Sequence, residues 1–306
     1  MKREGADGGP TCNLCGGGVF ADMPFHYVWE GQRFDGVQCR DCRLITLSPL
    51  PTDAQLQRLY GEDYFAGKLH GLDRLGVSYE SWADGQAARA RAFLRGELLR
   101  RRPGAARLLE IGAAMGHFLA AARDEGLEVA GVEISAAAAR RAREKFGLDL
   151  LCANIEQVDQ PAWRGRWDIV YAGDLFEHLR DPAGVLRHVH ELLAPGGLFA
   201  INLPGTFNLL STRLATPLLQ LAGRSRRLPE APYHLYEYTT ATVGRLFAGR
   251  FGRVEVVNLA TPPWRLNLKS RSPAYLGKLA LHALNWPLTG LTGRYGDRMQ
   301  VYGWKD

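Results

Sequence analysis

The sequence predicts an α/β fold in which helices cover both faces of a mostly parallel sheet, preceded by a small cysteine-rich unit. Two observations carry this prediction. From residue 107 onward, short apolar runs of strand length alternate with stretches of helix length, a pattern typical of consecutive parallel βα units. Before that point, four of the five cysteines fall within the first 42 residues, which sets this segment apart.

The first hundred residues are predicted to hold two strands and two helices. Thr52 or Asp53 is placed to cap the first helix, and Pro103 with Gly104 ends the second. The predicted bounds are 37–39 and 44–47 for the strands and 54–60 and 79–101 for the helices.

The alternating part of the chain is predicted to hold five strands in succession and two later ones. Gly112 ends the first of these strands, and Ser135 is placed to cap the helix that follows the second. The predicted strands span 107–112, 127–133, 148–152, 167–171, 198–203, 254–258 and 299–303, and the predicted helices span 116–125, 136–146 and 182–193.

Composition excludes several classes of protein. With 46% hydrophobic and 23% charged residues, the chain is not disordered, collagen-like or a polytopic membrane protein. The apolar stretch at 276–291 is too short and too interrupted by polar residues to span a bilayer. No apolar signal core follows the charged start of the sequence, so we expect a cytoplasmic location.

The amino-terminal cysteines form two knuckles, Cys12-x-x-Cys15 and Cys39-x-x-Cys42, separated by 23 residues. Two such knuckles complete a tetrahedral four-thiolate site without an open position, which predicts structural zinc. A pair of redox dithiols is the alternative, but no thioredoxin-like pattern surrounds them. Cys152 stands apart and is expected to be a small buried residue.

A glycine-rich turn with two carboxylates predicts a nucleoside cofactor. The turn is Glu110-Ile111-Gly112-Ala113-Ala114-Met115-Gly116, and Glu133 ends the next strand about 20 residues later. Glycines let the backbone approach a ligand, and a carboxylate at that strand tip can accept both hydroxyls of a ribose. Glu110 would repel a pyrophosphate but suits an amino group and a positive sulfur. This favours S-adenosylmethionine over NAD.

These residues resemble those of the class I S-adenosylmethionine-dependent methyltransferases, and more narrowly the bacterial group with an amino-terminal zinc ribbon. The resemblance covers about residues 11–260, with Ala114 in place of the usual middle glycine. The matching segments are 39–65, 108–119, 129–135, 153–156, 167–170, 177–182 and 192–197.

The resemblance implies a Rossmann-like, seven-stranded, mostly parallel sheet and a set of cofactor-binding residues at its carboxyl edge. Glu110, Gly112 and Gly116 would hold the amino-acid portion of the cofactor. Glu133 would bind its ribose. The remaining implied contacts are Ile134, Asn154 and Ile155 around the adenine, Asp174 at the methionine end, and Tyr64 and Tyr79 closing the site.

Within this resemblance the chain divides into a zinc ribbon over 11–50, a helical linker or lid over 51–103 and a methyltransferase domain over 104–306. Two insertions into that domain, 205–236 and 262–296, combine leucines with arginines and are expected to form a helical cap. Two helices that simply cover the sheet are the alternative.

Methyl transfer needs a group that removes the acceptor's proton, and three histidines are candidates, His178, His234 and His117. His178 follows the fourth alternating strand, where a helix-capping or supporting role is the alternative. His234 lies in an aromatic cluster at 232–238, where the alternative is a packed lid. We expect His234 to be the base and an oxygen to be the acceptor atom, with nitrogen and carbon left open.

The distribution of charge along the chain indicates which kind of molecule the protein binds. Residues 205–306 carry 14 Lys or Arg against 5 Asp or Glu, a net charge of +9, so with +6 overall the preceding residues carry −3. This favours a small anionic or amphiphilic acceptor, such as a lipid-linked or nucleotide-linked sugar, and peripheral membrane contact. A nucleic-acid partner is not expected. A non-catalytic zinc-ribbon interaction protein and an NAD-type oxidoreductase are the two competing interpretations of the whole chain.

Overall fold

A seven-stranded sheet organises the larger part of the protein. The computed structural model describes residues 11–60, 79–265 and 273–306. Of the six pairs of neighbouring strands in this sheet, four are parallel, and the two pairs at one edge of the sheet are antiparallel. The predicted mostly parallel, Rossmann-like sheet is therefore confirmed.

The strands of this sheet are β4 (Arg107–Ile111), β5 (Glu128–Glu133), β6 (Leu151–Cys152), β7 (Trp167–Gly173), β8 (Leu193–Pro204), β11 (Arg253–Leu259) and β12 (Arg298–Trp304). Their order across the sheet is β11-β12-β8-β7-β4-β5-β6. From β4 the chain runs outward to β6, then returns to β7 on the other side of β4. This reversal creates a crevice at the carboxyl ends of β4 and β7.

Helices cover both faces of this sheet. The helices are α1 (Asp53–Leu59), α2 (Tyr79–Asp84), α3 (Ala87–Phe93), α4 (Leu99–Arg101), α5 (His117–Asp124), α6 (Ala136–Phe146), α7 (Pro182–Leu192), α8 (Leu210–Leu221), α9 (Thr240–Ala248) and α10 (Pro273–Thr292). Two separate clusters of buried side chains lie on the two faces, one around Leu98, Leu119 and Ala142 and the other around Phe176 and Phe247. The two-sided covering agrees with the prediction.

Several boundaries differ from the sequence prediction, among them the start of β2, which is Gln32 where residue 37 was expected. The helix expected over 79–101 is interrupted at Gly85 and continues after Phe93 as a π-helical turn over Leu94–Leu98. β6 has only two residues and pairs with β5 at the edge of the sheet. β8 begins five residues earlier than predicted, since Leu193 already pairs with Trp167. Cys152, expected to be buried, is exposed at this edge.

A second, five-stranded sheet is built on the cysteine-rich segment. Three antiparallel strands come from the amino terminus, and two short strands come from the region predicted to be the first cap insertion. They are β1 (Phe20–Trp29), β2 (Gln32–Cys39), β3 (Ile45–Ser48), β9 (Arg226–Arg227) and β10 (Tyr236–Glu237). The order is β10-β3-β2-β1-β9. The segment 226–237 thus closes both edges of the amino-terminal sheet.

The long helices α8 and α10 pack against each other. α8 also contacts β1, and α10 contacts β11. Asn285 of α10 accepts a hydrogen bond of 3.1 Å from the backbone N–H of Leu210 at the start of α8. Among the described residues, no helix has the length and apolar character that crossing a membrane requires.

Candidate active site

A cavity of about 1010 Å³ opens at the carboxyl ends of β4, β5 and β7. This is the crevice at the reversal of strand order, where open α/β sheets bind their ligands. Eight of the predicted site residues line it: Gly112, Glu133, Ile134, Asn154, Ile155, Asp174, His178 and His234. Helix α1 and Tyr233 contribute to its walls from the amino-terminal side and from the segment before β10.

The turn after β4 is shaped by left-handed backbone conformations. Gly112 has φ +72°, and a Cβ there would lie 3.2 Å from the side chain of Leu175. Ala114 also has a positive φ of 47°, which costs a non-glycine residue about 1–2 kcal/mol. Its N–H donates a 2.8 Å hydrogen bond to Glu133 Oε2. The turn therefore presents backbone rather than side chains to the cavity.

Glu133 is the carboxylate best placed for a ribose. It is 5% exposed, and the backbone N–H of Ser135 donates a 2.8 Å hydrogen bond to its Oε1. Burial raises the pKa of Glu133, and the backbone donors of Ser135 and Ala114 oppose this rise. Each carboxylate oxygen keeps further acceptor capacity toward the cavity, which is what a pair of hydroxyls requires.

The predicted adenine neighbours lie together beside Glu133. Ile134 is 47% exposed within the cavity lining. Asn154 begins a turn of 3₁₀-helix, in which its Oδ1 accepts a hydrogen bond of 3.0 Å from the N–H of Glu156. Ile155 follows and is buried. An apolar surface flanked by an amide suits the face and the edge of a purine.

Two predicted cofactor residues lie outside the cavity lining. Glu110 is buried on β4, and its Oε2 has no hydrogen-bond partner among the described residues. Burial and the charge of Glu133 raise the pKa of Glu110 well above its ordinary value. Gly116 precedes α5, and a Cβ there would lie 3.1 Å from Ala142. The glycine thus allows α5 to pack closely on α6.

The two predicted tyrosines cannot be placed against the cavity. Tyr64 lies outside the described residues, as does the side chain of Tyr79, whose backbone begins α2.

At the opposite end of the cavity, Asp174 is paired with Arg298. The guanidinium of Arg298 lies 2.7 Å from Asp174 Oδ1 and donates a 2.9 Å hydrogen bond to Oδ2. Asp174 itself has φ +51° directly after β7. Arg298 begins β12, which is antiparallel to β8. Arg298 was not predicted as a site residue, because only the pairing of distant strands places it beside Asp174.

Glu177, His178 and His234 form a cluster next to this ion pair. Glu177 is 1% exposed, and its Oε1 lies 3.7 Å from His178 Nε2. The ligand atoms of all three residues lie within 4.8 Å of one another. Burial and the charge of Asp174 raise the pKa of Glu177 to about 8. Glu177 was not predicted as a site residue, although its position before His178 was a usable signal.

Both histidines are oriented by acceptors outside the cluster. Nδ1–H of His178 donates a 2.8 Å hydrogen bond to the carbonyl of Tyr233. His234 Nδ1 lies 3.5 Å from Glu237 Oε1. Burial lowers the pKa of His234, but the carboxylates of Glu237 and Glu177 outweigh burial and raise it. The structure thus brings His178 and His234, two of the three candidate bases, together, with ring centroids 5.0 Å apart.

The four amino-terminal cysteines also converge. Sγ of Cys12 lies 3.4 Å from that of Cys42, and Sγ of Cys15 lies 3.6 Å from that of Cys39. All four sulfurs lie within 4.8 Å of one another, and none forms a disulfide. Sulfurs around one tetrahedral Zn²⁺ at Zn–S distances of about 2.3 Å would be about 3.8 Å apart. The donor set and its spacing fit that ion.

The fold and the cavity define a class of protein, the class I S-adenosylmethionine-dependent methyltransferases. Residues 79–249 match the protein family described as "Methyltransferase domain". This is more than half of the chain, and the protein belongs to that family. The class predicted from the sequence is confirmed at the level of family and fold.

Curated relatives match over a shorter stretch. The chain is 36% identical over 101 residues to a ubiquinone biosynthesis O-methyltransferase of Bradyrhizobium sp. (strain ORS 278), covering 31% of this chain and 39% of that protein. A protein of the same name from Nitrobacter winogradskyi is 35% identical over 101 residues, covering 31% and 38%. The match spans about two fifths of the length of these relatives.

Solved structures share the fold. A SAM-dependent methyltransferase from Archaeoglobus fulgidus has a TM-score of 0.52 at 17% identity, covering 74% of this chain and 98% of that one. Phosphoethanolamine N-methyltransferase 2 of Haemonchus contortus, solved with S-adenosyl-L-methionine, has a TM-score of 0.52 at 19% identity, covering 85% and 62%. At these identities the likeness concerns the architecture alone.

Proposed function

We propose that the protein transfers a methyl group from S-adenosylmethionine to a hydroxyl of a small molecule. The observation that carries this proposal is the placement of two kinds of group in one cavity. At one end lies a carboxylate suited to a ribose, Glu133, and at the other lies the histidine cluster around Glu177. The carboxylate of Glu133 would hold the nucleoside of the cofactor, and the histidine cluster can accept a proton from the acceptor.

The residues present fit the methyl donor. Glu133 would accept the ribose hydroxyls, while Ile134, Asn154 and Ile155 would surround the adenine. Glu110 is buried two residues before Gly112 and has an oxygen without a partner among the described residues. A positive amino-acid end bound at the turn would favour the charged form of this carboxyl group. When bound, S-adenosylmethionine supplies an electrophilic methyl group on a positively charged sulfur.

His234 is the proposed proton acceptor. The acceptor oxygen forms its bond to the methyl carbon as the bond from carbon to sulfur breaks, and the hydroxyl proton passes to the imidazole of His234. Glu237 and Glu177 stabilise the imidazolium that results. His178, held by the carbonyl of Tyr233, lies beside this path and positions the acceptor.

An oxygen acceptor is supported by the curated relatives, whose names describe O-methyltransferases of ubiquinone biosynthesis. An acceptor with an apolar part is supported by an exposed apolar surface that follows the cavity lining along the chain. Beyond Pro204, which lines the cavity, the chain enters α8, where Leu214, Leu218 and Leu221 are exposed. We therefore favour an amphiphilic hydroxyl compound, a class that includes lipid-linked sugars and polyprenylated phenols.

The proposed anionic partner is a membrane surface rather than the cavity's ligand. Five carboxylate residues line the cavity against two arginines, so an anion is not favoured inside it. By contrast, α8 and α10 contain no acidic residue, and Arg224, Arg226 and Arg227 are exposed just after α8. We call these arginines and the exposed leucines of α8 the leucine–arginine surface. It suits peripheral contact with anionic lipids.

The ribbon at 11–50 is proposed to hold one structural Zn²⁺ through Cys12, Cys15, Cys39 and Cys42. Four thiolates leave no coordination position for water, so this ion would stabilise the fold and take no part in the reaction. Because free thiolates persist in reducing compartments, the proposal places the protein in the cytoplasm.

The test is binding followed by transfer. S-adenosylhomocysteine is titrated calorimetrically into the protein, and transfer of a radiolabelled methyl group is then measured with a panel of phenols, catechols, sugars and amines. We expect cofactor binding and label in hydroxyl compounds. Absence of S-adenosylhomocysteine binding would overturn the function, and label confined to amines would overturn the choice of oxygen.

A further inference from the structure

The cluster of Glu177, His178 and His234 has the composition of a metal site. One carboxylate and two imidazoles bring their ligand atoms within 4.8 Å of one another. Imidazole and carboxylate ligands together suit divalent first-row ions, and three protein ligands leave positions open for water or substrate.

The surroundings of the two histidines agree with this composition. Metal-binding histidines almost always donate their other ring N–H to a carbonyl or carboxylate, which orients the ring. Nδ1–H of His178 does so to the carbonyl of Tyr233 at 2.8 Å. Nδ1 of His234 faces Glu237 Oε1 at 3.5 Å. In the neutral ring of His178 this hydrogen bond places the proton on Nδ1 and the lone pair on Nε2.

The charge around the cluster also favours a cation. Oε2 of Glu177 is buried and has no hydrogen-bond partner among the described residues, and a buried carboxylate requires compensation. The carboxylate of Asp174 adds a second negative charge nearby, but Arg298 is already paired with Asp174. Within the described part of the chain, Oε2 of Glu177 therefore lacks a partner that a bound cation would supply.

We propose that Glu177, His178 and His234 bind a divalent first-row metal ion at the acceptor end of the cavity. The ion would coordinate the acceptor's hydroxyl and hold it toward the methyl donor. A hydroxyl bound to such an ion gives up its proton to solvent more readily. With the ion bound His234 would serve as a ligand, and without the ion it would serve as the base proposed above. The inference rests on the proposed function, because it assigns a task to the same end of the same cavity.

The experiment uses the full chain with zinc already bound at the cysteines. Co²⁺ is titrated into it calorimetrically while released zinc is measured, so that exchange at the cysteine site is detected. The same titration is made with Glu177→Gln, His178→Ala and His234→Ala. His188→Ala is the matched control, since His188 lies on α7 outside the cavity lining.

We expect one Co²⁺ per chain without zinc release in the wild type and in His188→Ala, and loss of this binding in the three cluster variants. Co²⁺ binding that is absent in the wild type, or that persists in all three cluster variants, would overturn the inference. S-adenosylhomocysteine is titrated into the same samples. Its binding shows that each variant is folded, and its failure to bind the wild type would overturn the proposed function independently of Co²⁺.

Discussion

The backbone N–H of Ala114 and the carboxylate of Glu133 are joined by a 2.8 Å hydrogen bond that crosses from the turn after β4 to the end of β5. The turn is held in its left-handed conformation by the same carboxylate that is proposed to bind the ribose. Glu133 therefore has two roles: it holds the turn after β4 in place, and it is proposed to bind the ribose of the cofactor.

Replacing Glu133 by Ala is expected to weaken S-adenosylhomocysteine binding roughly ten- to a hundredfold. Hydrogen bonds to a charged group contribute about 1.5–3 kcal/mol, and the turn loses its anchor as well. Calorimetry measures the change. The matched control is Glu128→Ala, at the exposed start of the same strand, and equal affinities in the two variants would contradict the assignment.

Replacing His234 by Ala is expected to lower turnover about 10²- to 10⁴-fold, the range over which positioned proton transfer contributes. The affinity for S-adenosylhomocysteine should change little, because His234 lies at the acceptor end of the cavity. Radiolabel transfer and calorimetry measure the two quantities. Unchanged turnover would remove His234 from the reaction, and His188→Ala serves as the control histidine.

Replacing Glu110 by Gln is expected to raise the melting temperature of the cofactor-free protein, and more so at higher pH. Because the folded pKa of Glu110 is raised, the folded state holds this proton more tightly than the unfolded state, and stability declines as pH rises above the unfolded pKa. Glu133 and Tyr171 are the titratable groups that face it.

Melting temperatures of Glu110→Gln and wild type, taken at about pH 5 and about pH 7, test this dependence. The difference in melting temperature between the variant and the wild type should be larger at the higher pH. A difference of the same size at both pH values would show that the Glu110 carboxyl is not the cause of the pH dependence. Glu128→Gln, exposed on the neighbouring strand, should show no such difference.

Replacing Cys39 by Ser is expected to release the bound zinc and lower the melting temperature of the protein. Cys39 is fully buried, and the free energy of metal binding in such small units is largely folding free energy. Elemental analysis should find one zinc per chain in the wild type and in Cys152→Ser, whose cysteine is exposed and does not belong to the cluster. One zinc retained in Cys39→Ser would argue against the four-thiolate site.

Replacing Leu218 and Leu221 together by Ser is expected to weaken sedimentation with anionic liposomes at low salt by more than tenfold. The two side chains are 66% and 89% exposed, and burying one leucine contributes about 1.5–3 kcal/mol. Leu259→Ser, at the end of β11, is the control. Absence of wild-type binding to anionic liposomes would contradict the proposed membrane contact.

Features encoded locally were predicted well. The helix after Ser135 begins as expected, because the side chain of Ser135 accepts a hydrogen bond from the N–H of Ala138, and Gly147 ends it in a left-handed conformation. The strands of the main sheet were found because their apolar runs are continuous. The long strand β1 was missed, since Asp22 and Pro24 argue against a strand, and its register is indeed irregular between Asp22 and His26.

The candidate site was predictable where it follows the parallel strands in order. Gly112, Glu133 and Asp174 each lie at or directly after the end of a strand, and all of them line one cavity. Arg298 was not predictable in this way, because its position depends on β12 pairing antiparallel to β8, where Arg298 lies opposite Pro204. Nothing local to residue 298 indicates that partner.

The five-stranded sheet has a consequence for how the protein is made. Thr46 of β3 pairs with Tyr236, which follows it by 190 residues, so the ribosome completes the amino-terminal strands long before their edge partners exist. At about 5–20 residues per second this delay lasts about 10–40 s. During this interval the nascent ribbon exposes unpaired strand edges. Early capture of a metal by its cysteines would protect the growing chain until β10 emerges.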